Sequence, residues 1–231
     1  MKKFKNFTFY IFGLICCFCA HAGQAYAQTS GKAPEPAQLL RQMRQALDGL
    51  GTAEFTFAFS ARDAAGRELG RESGTFVAQG ESFRLTGSVI TVYCDGVTKW
   101  IYDMANEEIT IFPHDTSSTD PAENPFAVLG KANPEDYTFK GAVRKTDAAD
   151  GTPAWRMSMA SKDRNAAYTL IEFTVSRQTM LPVAVSYVSR NGDVYELTVA
   201  SARSIGRLAE TEFAPPADLL EDPDVYVTDM R

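Results

Sequence analysis

Residues that could perform catalysis or bind a metal are few in this sequence. Its 231 residues include four cysteines and two histidines. Four of these six lie near the N terminus: Cys16, Cys17, Cys19 and His21. Only Cys94 and His114 remain farther along the chain. They are too few for a zinc site built from several histidines and cysteines, and any Cys–His or Ser–His nucleophile would depend on His114 alone.

The N-terminal residues have the pattern of a secretory signal peptide. Lys2, Lys3 and Lys5 precede an apolar run over residues 7–20, and Ala25-Tyr26-Ala27 has the small-x-small form of a cleavage site. The run is shorter than the roughly 20 residues that a membrane-spanning helix needs. We therefore predict a cleaved signal over residues 1–27, a periplasmic location and a single mature domain over residues 28–231. A retained anchor and lipidation of an N-terminal cysteine are less favoured alternatives.

The net charge of the mature chain limits the classes of molecule that it is expected to bind. The sequence has 23 basic and 29 acidic residues, and only three lysines lie in residues 1–27, so 20 basic and 29 acidic residues remain, a net charge of −9. Without a basic cluster, such a chain is not expected to bind nucleic acid. A single remaining cysteine excludes an intramolecular disulfide, although the compartment would permit one.

One amphipathic helix is expected ahead of a long series of strands. Residues 34–48 place leucines and methionine on one stripe, with prolines before it and glycines after it. Phe55, Phe57 and Phe59 then alternate with smaller or polar residues, the period of a strand with one apolar face. Asp95-Gly96 and Asn191-Gly192 predict tight hairpin turns. About eleven strands follow from these patterns: 54–60, 72–79, 83–86, 89–94, 99–104, 108–112, 137–143, 154–159, 168–175, 183–189 and 194–201.

A sheet of this size needs a cover for one face. Residues 113–123 are polar and predict a loop, and residues 124–130 (NPFAVLG) predict a short helix with an Asn cap and a Gly exit. So many strands twist and curl, and either close or need covering. We predict that the two helices lie over a half-closed antiparallel barrel lined by aromatic side chains. The alternative for each single aromatic is ordinary core packing.

Several segments together resemble the LolA family of periplasmic lipoprotein carriers. Residues 93–103 (YCDGVTKWIYD) are similar to the family's Ser-Asp-Gly-Lys-x-x-Trp-x-Tyr hairpin, and 124–126 (NPF) to its short Asn-Thr-Pro-Phe-type helix. Residues 213–216 (FAPP) and the terminal Asp229-Met230-Arg231 match the family's ending. The order of these segments, after a signal and an amphipathic helix, extends the resemblance over nearly all of the mature chain.

This resemblance implies a fold and a function. The fold is an incomplete antiparallel β-barrel of about eleven strands, covered by a helical lid that encloses a hydrophobic cavity. The implied function is that of a monomeric chaperone that receives acylated lipoproteins from an inner-membrane ABC release complex and carries them to an outer-membrane acceptor, with no enzymatic activity and no cofactor or metal. The expected lipid-binding residues are Leu40, Met43, Leu47, Phe55, Phe57, Phe59, Phe83, Trp100, Tyr102, Phe126, Val128 and Leu129.

The sequence departs from the family at two positions. The Arg-Pro pair before the third strand, whose arginine helps to latch the lid, is replaced by residues 78–82 (AQGES). Arg84 is close by but lies within a strand, so the latch role is not transferred to it. Cys94 stands where the family usually has serine, and is expected to be a small buried residue; a redox-sensitive thiol is the alternative.

Two other functions compete with the carrier. An envelope sensor of mislocalised lipoproteins could use the same half-barrel, but such sensors usually carry an additional domain, for which about 204 mature residues leave no room. A hydrolase would use two of the 29 carboxylates, and loss of turnover after Asp95→Asn or His114→Ala would be needed to support it. We expect Asp95 to be a turn residue and His114 to form a solvated loop pair with Asp115.

Overall fold

A computed structural model describes residues 32–116 and 126–231. The predicted signal segment and its cleavage site lie outside these residues, as do Asn124 and Pro125 of the predicted helix cap. Residues 33–231 form one compact unit. No helix in the described ranges is both long and apolar enough to cross a membrane.

The first element is the amphipathic helix α1, Pro36–Asp48. Pro36 occupies the first turn, where a missing N–H costs nothing, and the helix ends at Gly49. Leu39, Leu40 and Met43 have no exposed surface, so the helix lies with this stripe against the sheet.

The described residues form thirteen strands in one open sheet. They run along the chain as β1 (Ala53–Arg62), β2 (Glu68–Gln79), β3 (Ser82–Thr86), β4 (Ile90–Cys94), β5 (Thr98–Asp103), β6 (Glu108–Pro113), β7 (Tyr137–Phe139), β8 (Arg144–Asp147), β9 (Pro153–Ser161), β10 (Tyr168–Ser176), β11 (Pro182–Ser189), β12 (Val194–Ser204) and β13 (Tyr226–Asp229). The helix α2, Ala127–Lys131, lies between β6 and β7, and α3, Ala217–Leu220, lies between β12 and β13. The prediction of an incomplete barrel is confirmed.

The spatial order of the strands is β13-β6-β5-β4-β3-β2-β1-β12-β11-β10-β9-β7, with β8 also paired to β9. β1 joins the two halves because it pairs with β2 on one side and β12 on the other. All pairings are antiparallel except that of β13 with β6. The prediction of about eleven strands missed β8 and β13, which have only four residues each, and it extended β7 beyond its end at Phe139.

The two faces of the sheet differ in what covers them. We call the face that carries Phe55, Phe57 and Phe76 the inner face; α1 and α2 pack against it. The outer face is partly covered by the segment after β12. Gln79 holds that segment, accepting a hydrogen bond from the Leu208 backbone N–H at 2.9 Å and donating to its carbonyl at 3.2 Å.

The covering segment also adds a buried aromatic residue. Arg84, which alternates with the inner-face Phe83 and Leu85, forms an ion pair with Glu212 at 2.9 Å. Phe213 beside it has no exposed surface. The C-terminal segment therefore forms a second, smaller packed layer on the outer face.

Candidate functional site

The inner face carries one continuous apolar cluster. Strands β1 to β3 supply phenylalanines, α1 supplies its buried stripe, α2 supplies Val128 and Leu129 with Phe126 just before it, and β9 to β12 supply the opposite wall. We call this set the inner-face cluster. Its larger buried members are Leu39, Leu40, Met43, Phe55, Phe57, Phe76, Phe83, Phe126, Val128, Leu129, Tyr137, Trp155, Met157, Met159, Tyr168, Ile171, Phe173, Val185, Tyr187 and Leu197.

Phe126 lies at the centre of the aromatic part of this cluster. Its ring stacks on that of Phe76 with centroids 4.0 Å apart and an interplanar angle of 2°. The rings of Phe55 and Phe57 lie 5.5 Å from it. The residue begins a helix of five residues, which has little stability of its own because helix nucleation is costly. The short helix is therefore held in place by the Phe126 ring, which packs into the sheet just before the helix begins, and by its buried residues Val128 and Leu129.

Arg44 ties the two helices together. From α1, its guanidinium donates one hydrogen bond to the carbonyl of Ala132 at 3.4 Å and another to the side-chain oxygen of Asn133, both just beyond α2. Its Nε is buried, and no hydrogen-bond partner is found for it in the ranges that the structure describes. A buried donor without a partner costs free energy, so this tether holds the helices together less tightly than a fully satisfied one would.

Replacing Arg44 by alanine is expected to loosen α2 without unfolding the sheet. Loss of a partly exposed, charge-assisted hydrogen bond costs about 1–2 kcal/mol, which corresponds to roughly tenfold faster amide exchange across Ala127–Lys131. Hydrogen–deuterium exchange read by mass spectrometry measures this. Arg41→Ala is the matched control, since Arg41 lies on the same helix with an exposed side chain. Equal exchange in both variants would contradict the tether.

Ten of the twelve predicted lipid-binding residues lie in or against the inner-face cluster. Those buried in it are Leu40, Met43, Phe55, Phe57, Phe83, Phe126, Val128 and Leu129. Leu47 and Phe59 are partly buried and pack against it. The ring of Phe59 stacks on Tyr195 with centroids 6.1 Å apart.

Trp100 and Tyr102 were expected to line the same cavity, and this placement is wrong. In β5 they alternate with Ile101, whose cross-strand partner Val92 belongs to the inner-face cluster. Trp100 instead pairs with Tyr93 and with Ile111 of β6. Both side chains therefore lie on the outer face, because successive residues of a strand point to opposite sides.

The sequence analysis missed the opposite wall of the cluster. Trp155, Met157 and Met159 alternate along β9, and the side chains of Phe173 and Tyr187 on β10 and β11 have no exposed surface. The alternation was visible in the sequence as a strand, but alternation alone does not show which distant strands share a face with the phenylalanines of β1.

Buried tyrosines give this wall polar groups. The hydroxyls of Tyr137 and Tyr168 lie 2.9 Å apart in a hydrogen bond. Burial raises the pKa of Tyr137 above its usual range, and burial also raises that of Tyr187. The hydroxyls of Tyr137 and Tyr187 therefore stay protonated and are neutral polar groups inside an apolar wall.

The residues that could take part in catalysis are in structural roles. Asp95 accepts hydrogen bonds from the backbone N–H groups of Val97 at 2.8 Å and Thr98 at 2.7 Å, so it builds the hairpin turn. Cys94 has no exposed surface, and burial raises the pKa of its thiol to about 11, which keeps it protonated and unreactive. No group of three or more metal-binding side chains is found in the described ranges.

The environment of His114 is not the solvated loop that was expected. Its ring packs edge-on against Phe83 with centroids 5.8 Å apart. Burial lowers the pKa of His114, and the nearby Lys131 and Lys99 lower it further. The imidazole is therefore neutral at pH 7 and belongs to the rim of the inner-face cluster.

The outer face also has a concave region. It encloses about 340 Å³ and crosses six strands from β2 to β9. Its lining mixes apolar and polar residues: Ala58, Phe59, Ser60, Arg71, Arg156, Glu172, Thr174, Ala184, Val185, Ser186, Glu196, Leu197 and Thr198. Unlike the inner face, this groove carries two arginines and two glutamates beside its apolar residues.

Comparison with known proteins places the fold. No protein-family profile matches the sequence, and no curated protein matches it either. An uncharacterized conserved protein from Thermus thermophilus superposes with a TM-score of 0.51 at 13% identity, covering 83% of this chain and 97% of its own. The two chains share one fold.

Other solved structures match at lower scores. A LolA superfamily protein from Nitrosomonas europaea has a TM-score of 0.41 at 11% identity, covering 79% of this chain and 99% of its own. LprF from Mycobacterium bovis has a TM-score of 0.45 at 10% identity, covering 77% and 98%. A LolA superfamily protein is thus among the structural neighbours, as the sequence resemblance predicted. At these identities the likeness is one of fold alone.

Proposed function

We propose that this protein binds acyl chains on the inner face of its sheet and shields them from water. The observation that carries the proposal is the way in which α2 covers that face. A five-residue helix inserts Phe126 between the rings of Phe55, Phe57 and Phe76, where an acyl chain would make the same kind of contact.

The free energies of burial favour replacing α2 on the inner face by an acyl chain. Burying an acyl chain stabilises by about 0.8 kcal/mol per methylene, so three chains with roughly 40 methylenes gain about 30 kcal/mol before costs. Withdrawing α2 exposes its three buried apolar side chains, Phe126, Val128 and Leu129, at roughly 2 kcal/mol each. One chain of about 14 methylenes gains about 11 kcal/mol before costs, which exceeds the roughly 6 kcal/mol of exposing these three side chains.

The cargo that we propose is the acylated terminus of lipoproteins. The chain would take them from an inner-membrane ABC release complex, cross the periplasm with them and deliver them to an outer-membrane acceptor. The signal pattern and the resemblance to the LolA family support this route. In this role the protein binds a lipoprotein and releases it to the acceptor, and it catalyses no reaction.

The experiment is release of newly made lipoproteins from spheroplasts by the added protein. The expected result is a soluble 1:1 complex of lipoprotein and carrier, seen by native mass spectrometry. Phe57→Glu is expected to abolish the complex, because it places a charge on the sheet surface against which the acyl chain would lie. Leu220→Glu, on the partly exposed helix α3, is the matched control and should leave the complex intact.

Two results would count against the carrier. If the protein binds a fluorescent fatty-acyl probe but releases no lipoprotein, the function is that of an envelope lipid sensor or lipid-binding module. If it binds neither, the proposal fails at its first step. Circular dichroism of both variants checks that each is folded.

A further inference from the structure

The charges of the chain are unevenly distributed along the sheet. Residues 137–189, which hold β7 to β11, contain seven basic and four acidic residues, a net charge of +3. The rest of the predicted mature chain contains 13 basic and 25 acidic residues, a net charge of −12. A strongly acidic chain therefore has one basic part, and that part forms the end of the sheet at β9, β7 and β8.

Strand pairing brings three of these cations together at the edge of the sheet. Arg144 of β8 lies directly opposite Arg156 of β9. Arg156 alternates along β9 with residues of the inner-face cluster, so both arginines lie on the outer face. Lys140 follows β7, and its backbone N–H donates a hydrogen bond at 2.8 Å to the carbonyl of Ser158, two residues along β9 from Arg156. The sequence analysis expected no basic cluster, because Arg156 joins the other two cations only through strand pairing.

The pair of Arg144 and Arg156 is unfavourable for the folded chain by itself, because like charges directly opposite each other in a sheet repel. Glu172 compensates one of them through its ion pair with Arg156, at 3.5 Å between Nε and a carboxylate oxygen. For the exposed Lys140, Arg144 and Lys145, no ion pair is found in the part of the chain that the structure describes. An external anion would therefore relieve a repulsion that the fold leaves in place.

Further cations lie on the inner side of the same edge. Lys145 is opposite Trp155, which belongs to the inner-face cluster. The guanidinium carbon of Arg177 lies 4.6 Å from the centroid of the Trp155 ring. We call Lys140, Arg144, Lys145, Arg156 and Arg177 the basic edge. Its cations occupy both sides of the sheet edge.

Acidic residues elsewhere do not cancel the charge of the basic edge. Neighbouring strands lie about 4.8 Å apart, so β1 and β2, four and five strands from β9, are roughly 20 Å away along the sheet. Glu135 and Asp136 precede β7, whose first residue pairs with Ser161, five residues along β9 from Arg156 and therefore roughly 16 Å away. These distances exceed the Debye length of about 10 Å at 0.1 M salt. An approaching anion therefore meets a positive potential at this edge.

We propose that the basic edge docks the protein onto the surface of an anionic phospholipid bilayer. The placement of the cations favours this partner. A bilayer surface attracts the summed charge of the lysines and arginines around an edge, whereas an acidic peptide lying on one face would reach only the cations of that face. The proposal goes beyond acyl binding and does not require it.

Such docking is weak and reversible. Each lysine or arginine near an anionic bilayer strengthens binding about fivefold, so the basic edge holds the protein only at low or moderate salt. The rest of the chain, with its net charge of −12, is repelled by the same surface. The protein therefore meets the bilayer with the end of its sheet formed by β7, β8 and β9.

The test is flotation of the purified protein with phosphatidylcholine vesicles that either contain or lack phosphatidylglycerol. The expected result is binding only to the vesicles that contain phosphatidylglycerol, with release at high salt. Arg144→Gln combined with Lys145→Gln is expected to weaken this binding roughly 20-fold, because two cations are removed. Arg41→Gln combined with Arg207→Gln removes the same charge from exposed positions outside the basic edge, and should leave the binding nearly unchanged.

Three outcomes would overturn bilayer docking. Equal binding to both kinds of vesicle, or equal weakening by the two double variants, would mean that the basic edge does not recognise the anionic surface. Binding to soluble polyglutamate but not to vesicles would assign the basic edge to an acidic protein segment. Binding to neither would leave these cations the role of keeping other strands from pairing with the sheet edge.

The fluorescent fatty-acyl probe separates this proposal from the general one. Both double variants should bind the probe as the unaltered protein does, which also shows that they are folded. If the unaltered protein binds anionic vesicles but not the probe, acyl binding is overturned and bilayer docking stands. If it binds the probe but not the vesicles, the reverse holds.

Discussion

Replacing Phe173 by alanine is expected to lower the free energy of unfolding by about 4 kcal/mol, the typical cost of removing a fully buried phenylalanine ring. Phe173 has no exposed surface and lies on β10 between β9 and β11. Its cross-strand partners Met157 and Val185 are also buried in the inner-face cluster. Because three neighbouring strands enclose the ring, they cannot collapse into the cavity that its removal leaves.

Thermal or urea unfolding measures this loss. For a domain of about 200 residues, 4 kcal/mol corresponds to a fall in Tm of roughly 8–16 °C. Tyr226→Ala is the matched control, because it removes an aromatic ring that is 70% exposed on the edge strand β13. It should change the free energy of unfolding by less than about 1 kcal/mol. Similar losses in both variants would mean that β9 to β11 are not the rigid wall described above.

The local features of the fold could be predicted from the sequence because they depend on neighbouring residues. The hairpin turns are one example: Gly96 and Gly192 have φ values of 94° and 86°, which glycine adopts at little cost after Asp95 and Asn191. Alternation in residues 54–60 likewise predicts β1 correctly. In both cases the deciding interactions lie within a few residues of each other.

Features that depend on distant parts of the chain could not be predicted in the same way. Alternation shows that Trp100 and Ile101 lie on opposite faces, but the inward side follows from the pairing of β5 with β4 and from the helices that cover one face. The tether from Arg44 to residues 132 and 133 joins segments that no local pattern relates. The burial of Lys99 likewise depends on how β6 and the inner-face cluster surround it.

Replacing Phe126 by alanine is expected to raise the affinity for an acyl chain by on the order of tenfold. Removing the ring takes away its contacts with Phe55, Phe57 and Phe76, which attach α2 to the sheet. A loss of about 3 kcal/mol from the covered state makes the uncovered state about 100-fold more populated. The increase in acyl affinity is smaller than this 100-fold, because an acyl chain in the altered site has one aromatic ring fewer to contact.

Titration with a fluorescent fatty-acyl probe measures this affinity, and labelling of Cys94 reports the uncovering independently. Since that thiol has no exposed surface and its burial raises its pKa to about 11, faster labelling in Phe126→Ala requires that the inner face open. Phe139→Ala is the control: Phe139 packs against the same cluster from β7 and is no part of the covering helix. If both variants bind the probe equally well, opening is not governed by α2. If Phe126→Ala binds the probe more weakly than the unaltered protein does, the ring is part of the binding surface and does not act as its removable cover.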